Sequence, residues 1–525
     1  MVKCGLLLRK MPRTVQEKTE EMKALWWIKR DFRLSDNESL HTAVENCSEV
    51  LPFFCWEPCL ISLADTSAFH LQAQWQALHG LRQSLNLRNS AVWEDYRDIE
   101  DALNKVYAIY PFQMLYSHQE TGNLATFKRD KRVAQWCREK GVHWNEAVGS
   151  SVLRGGNADL RRVKLRQVDY RKQPVLPIPA TFKFPCILSV RLPSLSWNDL
   201  TTKITILKNR EISPDLQKIN ERNAWKTLDT FLSDRGQGYS GGISSPNLAF
   251  THGSRLSPHL AWGTISLRTV FSELQKRIKE LQENSVRNGW LRSLRAFQSR
   301  LYWRDHFIQR LEAFPAMEEK PLNSAYENLE YENSNVMLEH WTNGNTGFPM
   351  IDACMRCLAT TGFLNFRMRA MVVSFACYGL HLSWKTIHPP LAQLFLDYEP
   401  GIHMAQIQMQ AGVIGFNTIR VYSPAKQFLD QDPAAVFVKK WIPELRDCTA
   451  VEIANIEKSM IKSYPKAIVD LGSKTKEMKD RIFAVRRSQV GKHETIKVLA
   501  KHGSRKKTTM DKKKEKTGQL SLFES

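Results

Sequence analysis

Leu25-Trp-Trp-Ile-Lys-Arg-Asp-Phe-Arg-Leu-Ser-Asp-Asn37 opens the folded part of the chain. Leu25–Lys29 is a short apolar run of strand type, and Ser35-Asp36-Asn37 offers N-cap residues to the helical spacing over Asn37–Asn46. The same alternation then recurs. Glu49–Trp56 is short and apolar, Ala68–Leu87 long and amphipathic, and Ser90–Glu94 short again. Phe112–His118 and His143–Val148 continue the strands, with Leu124–Lys140 a helix between them. About four rounds of strand and helix predict a doubly wound parallel sheet, Rossmann-like, over residues 23–150.

On either side the pattern changes. Residues 1–22 are polar and charged, an expected loose extension. Residues 151–214 carry prolines at 174, 177, 179, 185 and 193 among mixed charges, as an interdomain linker does. From 215 to 470 nearly everything reads as helix, which predicts a second, all-α domain. Residues 471–525 are Lys-rich and poor in aromatics, and are expected to be a disordered basic tail.

Composition narrows the partners. The chain has 525 residues, 42% hydrophobic and 25% charged, which excludes fibrous and wholly disordered classes. The net charge of +21 favours a polyanion. Residues 471–525 hold +10 of it, so the remaining chain is itself basic. Ten scattered cysteines are those of a reducing compartment. No apolar run is long enough to span a bilayer, and Met1–Arg9 has too short an apolar core for a secretory signal, so a cytoplasmic location is expected.

Several motifs carry chemistry. Gly236, Gly238 and Gly241 formally match G-x-G-x-x-G, but the helical pattern of Ala224–Ser233 precedes them where a dinucleotide fingerprint requires a strand. A plain Gly-rich loop and a phosphate-facing loop both remain open. His252-Gly-Ser-Arg-Leu-Ser-Pro-His-Leu-Ala-Trp-Gly263 sets hydroxyls and an Arg before a helix start, which suits a phosphate or an ordinary Ser cap. Cys354-Met-Arg-Cys357 lies within a helical run and lacks a second C-x-x-C, so no metal is expected there. Asp397, Glu399 and His403 form a weak metal pattern interrupted by Pro400-Gly401.

The ordered set of motifs resembles the photolyase/cryptochrome family, light-driven flavoproteins with an α/β antenna domain and a helical FAD domain. The matching pieces are Trp27–Asn37, Gly253-Ser-Arg-Leu-Ser-Pro258, Tyr302-Trp-Arg-Asp-His-Phe307 and Trp341-Thr-Asn-Gly-Asn-Thr-Gly-Phe-Pro-Met-Ile-Asp-Ala353. Arg367-Met-Arg369, Ser374-Phe375 and Trp441-Ile-Pro-Glu-Leu445 extend the match in order, over roughly 23–446. The resemblance is to a divergent, bacterial DNA photolyase.

It implies a U-shaped FAD in the helical domain. Tyr239 and Gly253, Ser254, Arg255, Leu256 and Ser257 would hold the diphosphate, with Arg304 beside it. Phe297, Trp303 and Phe366 would line the flavin and lesion pocket. Arg369 and Asp397 would pair beside flavin N5 and the C4 carbonyl, with Glu399 near the ring. His403 stands opposite N5, where repair enzymes usually have Asn. In the usual electron-transfer chain Trp384 is retained, Tyr331 replaces the outer Trp and Ile407 the flavin-proximal one, so electrons are expected to arrive by another path. Arg300 replaces the Glu that bonds damaged bases, and Met409 replaces one flanking Trp. Phe366 and Ala370 replace the His pair of (6-4) repair, which leaves cyclobutane pyrimidine dimers as the expected substrate.

Trp303, Arg367, Met409 and Arg420 would face DNA, with Lys426, Lys439 and Lys440 nearby. Glu120 and Asn123 lie where relatives bind an antenna chromophore, folate or deazaflavin, but Leu124 replaces an acidic residue and speaks against folate. Gln519-Leu-Ser-Leu-Phe523 resembles the short motif with which bacterial proteins bind the sliding clamp, and a bland terminal peptide remains the alternative. The expected protein is thus a monomeric, FAD-dependent photolyase acting on UV-damaged DNA. A cryptochrome-like photoreceptor without repair is the alternative, and a flavin-free nucleic-acid scaffold a third.

Overall fold

The computed structural model describes residues 22–154, 169–180, 183–185, 192–285, 288–456 and 461–502. The proposed extension up to residue 21 and the Gln519–Phe523 motif lie outside them. Five strands, β1 (Lys23–Trp27), β2 (Glu49–Trp56), β3 (Trp93–Tyr96), β4 (Met114–His118) and β5 (His143–Ala147), form one parallel sheet in the order β3-β2-β1-β4-β5.

The near-continuous apolar runs of β1 and β2 follow from burial on both faces. Side chains alternate along β1: Ala24 and Trp26 enter one apolar cluster, Leu25 and Trp27 the other. The Asn37 side chain accepts the Leu40 N–H and starts helix Glu38–Asn46. Helix Leu124–Lys140 and strand β2 have their expected bounds, whereas the strand read at Ser90–Glu94 lies at Trp93–Tyr96. Helix Ile99–Ile109 joins β3 to β4, with Ile99, Ala102, Leu103 and Val106 on its buried face. Strand order reverses between β1 and β4, so a crevice opens beyond Trp27 and His118, at the switch point.

The described parts of the linker region make regular contacts despite its prolines. The Lys183 carbonyl accepts the Val50 N–H, and the Pro193 carbonyl accepts that of Glu94 on edge strand β3. Helix Trp197–Lys203 begins with a capping box from Ser196 and Asp199.

The second part is helical. Its long helix Trp290–Ala313 packs on Pro400–Gln410, where Gly401 lies directly against Ile308. The expectation of a disordered tail from 471 is corrected. Leu471–Arg487 and Gln489–His502 are helices, and Met478 (0% exposed) and Ile482 enter the main core. Few apolar residues suffice when they share one face and Lys and Arg cover the other.

The two parts meet over a polar seam. Glu221 accepts the backbone N–H groups of Leu34 and Ser35 at 2.9 Å each, and Arg268 pairs with buried Asp36 at 2.6 Å. Arg33 donates to the Gly263 carbonyl, and Arg30 to that of Tyr398.

Candidate functional site

Helix Phe366–Ser374 carries Arg369 toward the turn that precedes helix Pro400–Gln410. Its guanidinium contacts both carboxylate oxygens of Asp397, at 3.0 and 2.9 Å, and stacks on Phe395 at 4.0 Å. The Asp397 side chain is only 6% exposed. Burial opposes its ionisation, yet Arg369 and the Ser257 hydroxyl outweigh burial and hold the carboxyl below the usual range.

Around this pair the 253–257 segment folds as a tight loop. Arg255 has φ +58°, and its guanidinium lies 3.7 Å from the Phe363 ring centre. Burial draws it down to about 10, although Asp397 opposes the fall. Arg235 donates to the carbonyls of Gly253 and Ser254 and so shapes the loop. Leu256, Tyr239 and Phe297 are buried in one apolar cluster, with Tyr239 and Phe297 edge to face at 5.7 Å. Burial pushes the Tyr239 phenol up to about 12, and Arg300 is hydrogen-bonded to it. Arg304 lies 3.4 Å from Glu399 and from the Leu260 carbonyl.

His403 completes this side. Burial, His388 and Arg369 keep its imidazole well below the ordinary value, and the ring donates to the His388 backbone. With that nitrogen committed, the His403 Nε2 lacks a hydrogen-bond partner, as do Glu399 Oε1 and Arg255 Nη1. Buried polar atoms left open in this way suit a polar ligand carrying ring heteroatoms and phosphates. The residues present therefore fit a flavin dinucleotide.

Other expected residues distribute as follows. Trp303 is partly buried, its ring against His306 and Phe307. Phe366 is 43% exposed, and Arg300 and Arg420 are exposed. Arg367 is partly exposed, and Met409 packs against the main core. Trp384 (3% exposed), Tyr331 and Ile407 lie in or against that same core. The Gly-rich 236–241 loop follows helix Glu221–Ser233 and forms two short helical turns, so it is no dinucleotide fingerprint. Cys354 and Cys357 are buried within helix Pro349–Thr361 with thiols pushed up by burial, and both pack in the main core. Asp397 and Glu399, two members of the weak metal pattern, are paired with Arg369 and Arg304. Among the described residues one further group has metal-like spacing, Glu332, His381 and Glu477, and Lys474 and Arg481 engage its carboxylates.

Sequence reasoning missed Arg235 and His388, whereas Glu120 and Asn123, expected near an antenna chromophore, do line a cavity at the switch point. That cavity is lined by Trp27, Trp56, Glu120, Asn123, Trp262 and Tyr398. Arg129 bridges Glu57 and Glu120 in its wall, and the Leu124 N–H donates to Glu318 at 2.7 Å.

Residues 24–162 match the family model for DNA photolyase, and 297–484 that for the FAD binding domain of DNA photolyase. The chain belongs to the photolyase/cryptochrome family and carries its FAD-binding domain. It is 25% identical over 476 residues to the deoxyribodipyrimidine photo-lyase of a Synechococcus species, covering 87% of this chain and 95% of that one. It is 23% identical over 462 residues to the chloroplastic/mitochondrial cryptochrome DASH of Solanum lycopersicum, covering 81% and 77%. The crystal structure of an archaeal photolyase from Sulfolobus tokodaii with two FAD molecules superposes with a TM-score of 0.72 at 25% identity, covering 88% of this chain and all of that one. Among the described residues no helix is long and apolar enough to cross a membrane.

Proposed function

We propose that the chain is a blue-light-driven, FAD-dependent photolyase that splits cyclobutane pyrimidine dimers in DNA. The observation that carries this reading is the Arg369–Asp397 pair, its carboxylate buried, beside the open atoms of Arg255 and His403. FAD, when bound, supplies the electron that opens the dimer ring. The protein's own residues bind, position and exclude water. Arg369 provides a fixed positive charge whose cost Asp397 offsets. Arg255, Ser254 and Ser257 serve the phosphates. Trp303 and Phe366 give a flipped-out dimer aromatic surface, and exposed Arg300 donates to a base carbonyl. Arg367, Arg420, Lys426 and Lys440 meet the DNA backbone. Phe366 and Ala370 move no proton, which favours the cyclobutane lesion over the (6-4) product.

The test is dimer loss from UV-irradiated oligonucleotide under blue light with chemically reduced protein; no loss rejects the reading. His403, Ile407 and Arg300 favour the second reading, a photoreceptor without repair. Trp303→Ala is expected to weaken binding of dimer-containing DNA by about 5- to 150-fold, as losing one stacked base of roughly 1–3 kcal/mol implies. A titration showing equal loss on undamaged DNA would reject the stacking role.

Eight free cysteines among the described residues support a cytoplasmic protein, which is proposed to act as a monomer. Gln519–Phe523 is proposed to dock in an apolar groove of the sliding clamp. Deleting residues 518–525 is then expected to abolish clamp capture in a pull-down while leaving flavin content unchanged.

A further inference from the structure

Tyr398 stands between Asp397 and Glu399 in sequence, lines the switch-point cavity and is 7% exposed. Its hydroxyl donates to Asp65 Oδ2 at 2.6 Å, across 333 residues of sequence. Its ring lies edge-on to His403 at 5.4 Å and stacks on His70 at 5.4 Å. His70 in turn lies 5.8 Å from Trp262, at the switch-point cavity. Aromatic rings thus run without a break from His403, beside Arg369, through Tyr398 and His70 to Trp262 at the seam between the two parts, while Ile407 lies in the main core.

We propose that Tyr398 is the residue that donates an electron to the light-excited flavin, with Asp65 as its proton acceptor. Losing an electron makes a phenol strongly acidic, so the donor of choice is a tyrosine already bonded to a base. Burial holds the resting phenol well above its ordinary value, so it stays protonated in the dark. The alternatives are less suited. Arg30 places its guanidinium 4.7 Å from the Trp262 ring centre, which opposes a cation radical there, and the indole N–H points at the Leu396 carbonyl, which takes no proton. Lys385 lies 5.8 Å from the Trp384 ring centre.

In the step itself, one electron passes from the Tyr398 phenol to the light-excited, oxidised isoalloxazine. The O–H bond breaks and its proton moves along the hydrogen bond to Asp65. Tyr398 is left as a neutral radical and Asp65 as a carboxylic acid. An electron from an exogenous thiolate, with the proton returned by Asp65, restores both groups. Asp65 is partly exposed, which also allows its proton to exchange with water.

The inference rests on the flavin reading of the pocket, and the two are tested separately. Visible absorbance first measures flavin content in the full-length protein; a chain that binds none when offered FAD overturns both. With flavin bound, electron paramagnetic resonance under blue light is expected to reveal a neutral tyrosyl radical. Tyr398→Phe is expected to keep the flavin content, lose that signal and photoreduce at least tenfold more slowly. Asp65→Asn is expected to slow photoreduction as well, and Trp384→Phe to leave the radical signal in place. A Tyr398→Phe protein with full flavin content and an unchanged rate overturns the assignment, as does a radical signal that disappears in Trp384→Phe.

Discussion

Asp397→Ala is expected to yield protein that purifies with less than a tenth of the flavin held by the unaltered chain. The carboxylate is buried and takes both contacts from Arg369. Arg255 faces the same carboxylate, so its removal leaves two guanidinium groups together without a counter-charge. Breaking a buried pair costs about 3–5 kcal/mol, reduced here to roughly 2–4 because Arg369 keeps some access to water. Each 1.4 kcal/mol is about tenfold in affinity, so the loss spans roughly 30- to 1,000-fold. The ratio of visible flavin absorbance to protein absorbance reads this directly. Asp397→Asn keeps the shape and removes the charge; if it retains full flavin content, shape and not electrostatics holds the cofactor.

Gly263→Ala is expected to give the largest loss of stability from adding a single methyl. Gly263 has φ +65°, and an added Cβ would fall 1.8 Å from the Arg30 carbonyl oxygen. Arg30 follows β1, so the clash lies at the seam where Arg33 also donates to the Gly263 carbonyl. Left-handed strain and overpacking against backbone together cost about 3–5 kcal/mol. At roughly 2 °C per kcal/mol for a chain of this size, the melting midpoint falls by about 6–10 °C. Gly141 supplies the control. It has φ +68° with nothing within 4 Å of an added Cβ, so Gly141→Ala carries the backbone strain alone. A calorimetric midpoint equal for both variants would show that the seam yields at no cost.

Legibility followed the range of the interactions. The β1–helix boundary was readable because Asn37 caps within three residues, and Leu124–Lys140 because its apolar period and Gly141 stop are local. Strand β3 was misplaced because its position depends on pairing with Phe53–Trp56 and on the Pro193 carbonyl along its edge. Helix Leu471–Arg487 reads as tail from sequence because Met478 and Ile482 are buried only in the main core, where Ile482 meets Gly412 beside Tyr378, far earlier in the chain. In the site, motif order alone located Arg369 and Asp397. Arg235 escaped notice because its role is to hold carbonyls 18 and 19 residues away.

Local period and caps, which act over a few neighbours, therefore determined the two-part architecture, and the order of the motifs pointed to the residues proposed to hold the cofactor. The seam at Gly263, the order in 471–502 and the Tyr398–Asp65 hydrogen bond belong to tertiary structure alone. Each joins groups that only packing brings together, and no local pattern encodes a contact whose two halves are hundreds of residues apart.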